Sequence, residues 1–169
     1  SVLAAGGPLV VVALGPAADA AEGLARRGGT RWIALPGAGG PLDAEATLAL
    51  LAPVVAELDP AVVLLGGSTI GGEVAARLAQ RLGAGCATEV QDLAWQDGAL
   101  RVERRTLGRF VATELLRSRP ALATVRARRY SAPEPGGPGV PVERRDDRPP
   151  ASRVRVLATH PRAHSSAAL

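Results

Sequence analysis

The stretch from Ala61 to Gly85, AVVLLGGSTIGGEVAARLAQRLGAG, limits the fold more than any other part of the chain. An apolar run, Ala61 to Leu65, stops at Gly66-Gly67. Ser68 and Thr69 follow, then Ile70, a second pair Gly71-Gly72, and a helix opening near Glu73. Val74, Leu78 and Leu82 fall at helical spacing, with Arg77 and Arg81 on another face. A buried strand, a glycine-rich turn and a helix start turn unpaired backbone N–H groups outward, where an anion is stabilised. Glycine serves such a corner by taking positive φ or by letting a ligand approach the backbone. Many α/β domains use the same corner for packing alone and bind nothing. Gly66, Gly67, Ser68, Thr69, Ile70, Gly71 and Gly72 are therefore a candidate binding loop on this pattern, with an empty scaffold corner as the competing reading.

The flanking text repeats the alternation. LVVVAL (Leu9–Leu14) reads as a buried strand ending at Gly15-Pro16, and a helix is predicted over Ala17–Arg27 up to Gly28-Gly29. Arg31–Leu35 is a second strand and PGAGGP a loop. Asp43 is an N-cap for a helix from Ala44 to Glu57, broken by Asp59-Pro60. Strands and helices in alternation through short loops imply parallel βαβ units. After the Cys86–Val90 strand the pattern changes to a hairpin turning at Asp97-Gly98. Short strands follow at Leu93–Gln96, Leu100–Arg104, Phe110–Leu116 and Ala121–Arg126. The expectation is an α/β fold: three layers, one mainly parallel sheet with helices on both faces, and an antiparallel hairpin addition.

Residues 1–130 form the expected domain. SAPEPGGPGVPVERRDDRPP (residues 131–150) offers almost nothing to bury and reads as an extended linker. Residues 151–158 are expected to return as an edge strand, and 159–169 to be a disordered tail.

Composition excludes several classes. The core must be aliphatic, because aromatics make up only 2% of the residues. All 20 basic residues are arginines, spread along the chain without the aromatic interleaving that stacks bases, so nucleic acid is not the expected partner. Cys86 is the single cysteine and sits in an apolar strand, where a thiol acts as a small hydrophobe. His160 and His164 have no carboxylate or cysteine neighbours that make a metal site, and no Ser/His/Asp constellation is spaced for nucleophilic catalysis. No apolar run approaches a membrane span and no signal-peptide pattern opens the sequence, so the expected setting is cytoplasmic.

In their order and spacing, VVLLGGSTIGGEVAARLAQRLGAGCATEVQDL (Val62–Leu93), the hairpin closing in VERRTLG (Val102–Gly108) and RPALATVR (Arg119–Arg126) resemble the N-terminal domain of the electron transfer flavoprotein alpha subunit. SRVRVL (Ser152–Leu157) resembles the family's exit from that domain, so the likeness covers about Leu9 to Leu157. The chain departs from the family at Gly71-Gly72, where Gly-Arg is common, at Gly108-Arg109, often Gly-Gly, and at Ala127-Arg128, where T-V-R-P-G is usual. The family's first strand is also expected to be missing, since SVLAAGG reads as lying inside the first helix.

The resemblance implies an adenine nucleotide alpha hydrolase-like fold and an electron carrier rather than an enzyme. In the family a beta subunit is the partner, with dehydrogenases and a membrane quinone reductase reached through the complex. FAD sits in a further C-terminal domain, so the flavin is implied for the assembly but is not bound by this chain alone. The related domain of the beta subunit binds AMP on the equivalent loop, whereas the alpha subunit's loop is generally empty. AMP on Ser68–Gly72 remains an alternative, in which the chain is a stand-alone AMP or ATP module. A small enzyme acting on a phosphorylated ligand in the same cleft ranks below both, for want of an acid or base.

Overall fold

A computed structural model of the chain describes residues 7–37, 43–106, 108–150, 153–154 and 157–158. The architecture is α/β, as expected. β1 (Val10–Leu14) leads through short helical turns into β2 (Arg31–Leu35), α2 (Ala44–Leu58), β3 (Val62–Gly66) and α3 (Thr69–Leu82). β4 (Cys86–Gln96), β5 (Ala99–Thr106) and β6 (Phe110–Leu116) then form an antiparallel meander, followed by β7 (Ala121–Val125) and β8 (Val142–Arg144).

The strands make two sheets rather than the single one predicted. β1, β2 and β8 form a three-stranded parallel sheet, and the other five strands run in the order β3-β7-β4-β5-β6. β7 lies parallel between β3 and β4. The division falls between β1 and β3. Val12 and Leu14 of β1 pack on the same apolar cluster as Val63 and Leu65 of β3, yet each strand keeps one edge unpaired among the described residues.

α2 and α3 cover one face, burying Leu48, Leu51 and Val55 of α2 with Val74, Leu78 and Leu122. The helical turns after β1 cover the opposite face of the smaller sheet through Ala18, Ala21 and Ala25, against Trp32 and Ala34. The continuous helix predicted over Ala17–Arg27 is instead a 3-10 turn (Gly15–Ala18), one α turn that we label α1 (Ala21–Leu24) and a second 3-10 turn (Ala25–Arg27). Pro16 at its start, Gly23 within it and alanines as its buried contacts give this segment little helical drive of its own.

Other local expectations hold. The Asp43 carboxylate accepts from the Ala46 amide at 2.7 Å and caps α2, which ends at Asp59 in the left-handed region. Asp97 and Gly98 both have positive φ (49° and 72°), the pairing required by a two-residue hairpin turn. The two strands predicted at Cys86–Val90 and Leu93–Gln96 are one. β4 pairs with β7 in its first half and β5 in its second, with register shifts near Val90.

Within the stretch expected to be a linker, Val142–Arg144 is laid parallel to β2, with Trp32 opposite Val142. Arg153, Val154, Leu157 and Ala158 of the expected edge strand are outside any strand, while the rest of that segment and residues 159–169 lie outside the described residues.

Candidate functional site

The candidate loop sits where α/β sheets place their ligands, beyond the carboxyl ends of the strands and at a helix N-terminus. The structure brings its seven residues together but divides them differently from the sequence pattern. Gly66 is the last residue of β3, Gly67 is the turn, and Ser68 is the N-cap of α3 with extended backbone. Thr69, Ile70, Gly71 and Gly72 already belong to the first turn of α3, four residues before the predicted start. A glycine pair is a poor helix former, but the cap overrides it. Ser68 Oγ accepts from the Gly71 amide at 3.0 Å, and Ser68 O accepts from the Gly72 amide at 2.8 Å.

The turn spends its donors internally. Gly67 N–H donates to Val125 O at 2.7 Å and Ser68 N–H to Gly66 O at 2.8 Å. Of the five amides from Ser68 to Gly72 proposed as a phosphate cradle, those of Ser68, Gly71 and Gly72 are taken up by the chain itself. Thr69 and Ile70 supply the remaining two at the surface.

Gly67 and Gly71 serve close packing of chain on chain, whereas Gly66 has nothing within 4 Å of a Cβ. None of Gly66, Gly67, Gly71 and Gly72 is among the residues with positive φ. A Cβ on Gly71 would lie 2.0 Å from Gly66 O, and one on Gly67 would lie 2.9 Å from Val125 O. Gly72 is different, with nothing within 4 Å of a Cβ. The space for a side chain is present there, and the arginine common in the family is not.

Charge around the corner is mixed, with carboxylates at the turn and along the cleft and Arg77 and Arg153 among the cleft's lining. The Glu89 carboxylate, on a residue with φ 57°, reaches the turn, and a Cβ on Gly67 would come within 3.2 Å of its Oε1. Glu89 is held in this pose by its amide, which donates to the hydroxyl of buried Thr124 at 3.0 Å. Beside the turn lies an open cleft of about 480 Å³ between the starts of α2 and α3, edged by Asp43, Glu45 and Glu73. Each of these carboxylates has a partner. Asp43 caps α2, Glu45 pairs with Arg153 at 3.0 Å, and Glu73 pairs with Arg77 at 2.5 Å.

Glu89, Glu45 and Arg153 are site residues that the sequence pattern missed. A left-handed residue at a strand irregularity leaves no periodic signature, and the Glu45–Arg153 pair joins positions far apart in the chain. Cys86 is half-buried, and burial pushes its thiol above the ordinary cysteine range, away from reactive thiolate. Among the described residues no group of three or more His, Cys, Asp or Glu side chains is placed to hold a metal ion. None of the described helices is long and apolar enough to cross a membrane.

The family model for the electron transfer flavoprotein domain matches residues 1–150. The chain belongs to that family. The electron transfer flavoprotein domain thus accounts for both sheets, β8 included, and for the corner at Gly66–Gly72. No curated protein sequence matches the chain. Members of this family are electron carriers.

Proposed function

We propose that this chain is the structural and partner-binding domain of an electron transfer flavoprotein alpha subunit. In this role it packs against a beta subunit while electrons pass through FAD held elsewhere in the assembly. Its contribution is shape and surface, with no side chain in the redox step. The observation that carries this reading is the self-satisfied corner. Ser68, Gly71 and Gly72 give their amides to the chain, Glu89 stands beside Gly67, and no arginine occupies position 72. An AMP-binding beta-type domain needs the opposite arrangement.

The partner surface in this reading is the outer strand of the meander. Among the described residues β6 has an unpaired edge, and Phe110, Val111 and Leu115 are exposed along it. A long apolar edge strand of this kind favours pairing with another chain. Arg104 is engaged with Glu114 at 2.5 Å, and the Arg109 guanidinium lies over the Phe110 ring at the start of the strip.

Co-expression with a beta-type subunit tests the proposal. A co-purifying complex, disrupted by Val111→Glu, is the expected result. The 169-residue chain purifying alone with stoichiometric flavin would overturn it.

A further inference from the structure

The connection after Tyr130 is rich in proline, glycine and charge, yet part of it becomes the outer strand of the smaller sheet. Few apolar groups hold it there. β8 spans three residues, and only Val140 and Val142 of this segment pack on the cluster around Trp32 and Ala34. Upstream, the Arg27 guanidinium donates to Pro133 O at 2.7 Å, and the Gly136 amide donates to Arg26 O at 2.8 Å.

Backbone pairing with β2 holds residues 142–145, and the side-chain attachments are mainly ionic. The Arg144 guanidinium grips both carboxylate oxygens of Glu22 in α1 at 2.7 and 2.9 Å. Arg145 grips both oxygens of Glu57, near the end of α2, at 2.6 and 2.8 Å. Glu143 accepts from Arg145 at 2.6 Å and from Arg31 of β2 at 2.7 Å, and Arg31 lies 3.5 Å from Glu57. Glu22, Arg31, Glu57, Glu143, Arg144 and Arg145 thus draw α1, β2 and α2 onto one strand.

We propose that residues 133–145 are an electrostatic latch, a strap that leaves β2 as a unit when its ion pairs are weakened while the rest of the domain stays folded. Exposed ion pairs contribute little singly and more as bidentate networks. Salt reaches such a network directly, since screening shortens to about 3 Å at 1 M. It does not loosen the buried faces of α3 and β7. Pro135, Gly136, Gly137, Pro138, Gly139 and Pro141 give the strap a chain that swings without secondary structure to melt. Opening frees the outer edge of β2 and lengthens the tether between the domain and residue 146 onward.

Amide hydrogen exchange at neutral pH reads the latch directly. The reporter is the Arg145 amide, which donates to Ala34 O at 3.0 Å across the seam. The Leu122 amide, which donates to Gly85 O at 3.0 Å, reports the core. Between roughly 0.05 and 1 M NaCl, screening is expected to speed exchange at Arg145 about tenfold or more, with less than about a twofold change at Leu122. Glu143→Gln, which removes one of the two carboxylates shared by Arg31 and Arg145, is expected to speed low-salt exchange at Arg145 and to reduce its salt dependence. The exchanged pair Glu22→Arg with Arg144→Glu is expected to restore the slow rate that Arg144→Glu alone loses. Arg145 and Leu122 exchanging together at every salt concentration would overturn the latch, because the strap would then open only by unfolding the domain. An unchanged Arg145 rate in Glu143→Gln would overturn it equally.

Discussion

β7 and β8 are both parallel strands joined to older neighbours by long connections, but different forces hold them. Ala121, Leu122, Ala123 and Thr124 of β7 are almost completely shielded from solvent between β3 and β4; Val74 and Leu78 of α3 pack on Leu122, while Ala121 and Ala123 face Val90, Leu100 and Val102. β8 lies at an edge, with one partly buried valine and a ring of arginine–carboxylate pairs. The comparison teaches where cooperativity resides. Apolar burial ties β7 to the global fold, whereas an ionic seam allows local opening. The glycine corner belongs with β7, since Gly67 and Gly71 bring backbone against backbone.

The largest expected effect is at the apolar end of this contrast. Leu78→Ala removes a fully buried side chain and is expected to cost about 2–5 kcal/mol in urea denaturation. The same variant should leave the salt dependence of the Arg145 amide unchanged. A shift in that dependence would show that core and strap are one cooperative unit. Gly71→Ala forces a methyl group to within 2.0 Å of Gly66 O and is expected to destabilise by about 1–3 kcal/mol. Gly72→Ala, with open space around it, should instead stabilise by up to about 1 kcal/mol through helix propensity. Equal effects at the two positions would remove close packing as the reason for the glycine pair. Ser68→Ala deletes the cap on the Gly71 amide, and a loss of about 1 kcal/mol is expected.

The smallest effect on global stability is expected at the seam, and it carries a pH signature. Hydrogen bonds from Arg144 hold the Glu22 carboxyl below its ordinary value of 4.5, those from Arg145 do so for Glu57, and those from Arg31 and Arg145 do so for Glu143. A depressed carboxylate pKa contributes stability that is fully present above the unfolded-state value and is lost as pH falls through the folded-state value. The protection of Arg145 relative to Leu122 should therefore be constant near neutral pH and fall as the solution is acidified below about 4.5, the ordinary carboxylate value. Relative protection at Arg145 that is unchanged on acidification, or that falls on raising the pH, would contradict the ionic account of the seam.

The same division governs what could be read from the sequence. Runs such as Leu9–Leu14 and Ala61–Leu65, the caps at Asp43 and Asp59, and the Asp97-Gly98 turn act locally, so residue type alone fixes them. The family was legible because these pieces keep their order across most of the chain. The helix start at Thr69 was not, since Thr-Ile-Gly-Gly has loop propensity and is made helical by the Ser68 cap. β8 was invisible because its periodicity is three residues long and its partners, Glu22, Arg31 and Glu57, are scattered through the first half of the chain. At the candidate site the seven loop residues lie together at one corner, and residue type alone does not reveal that the amides of Gly67, Ser68, Gly71 and Gly72 bond within the chain.

Calorimetric titration of the purified domain with AMP tests the central claim most directly. With the corner closed by its own groups, no saturable heat is expected at nucleotide concentrations up to about 1 mM, the level of roughly 4 kcal/mol. Binding tighter than about 10 µM, roughly 7 kcal/mol, and abolished by Gly71→Ala, would contradict the claim and make the corner a nucleotide site.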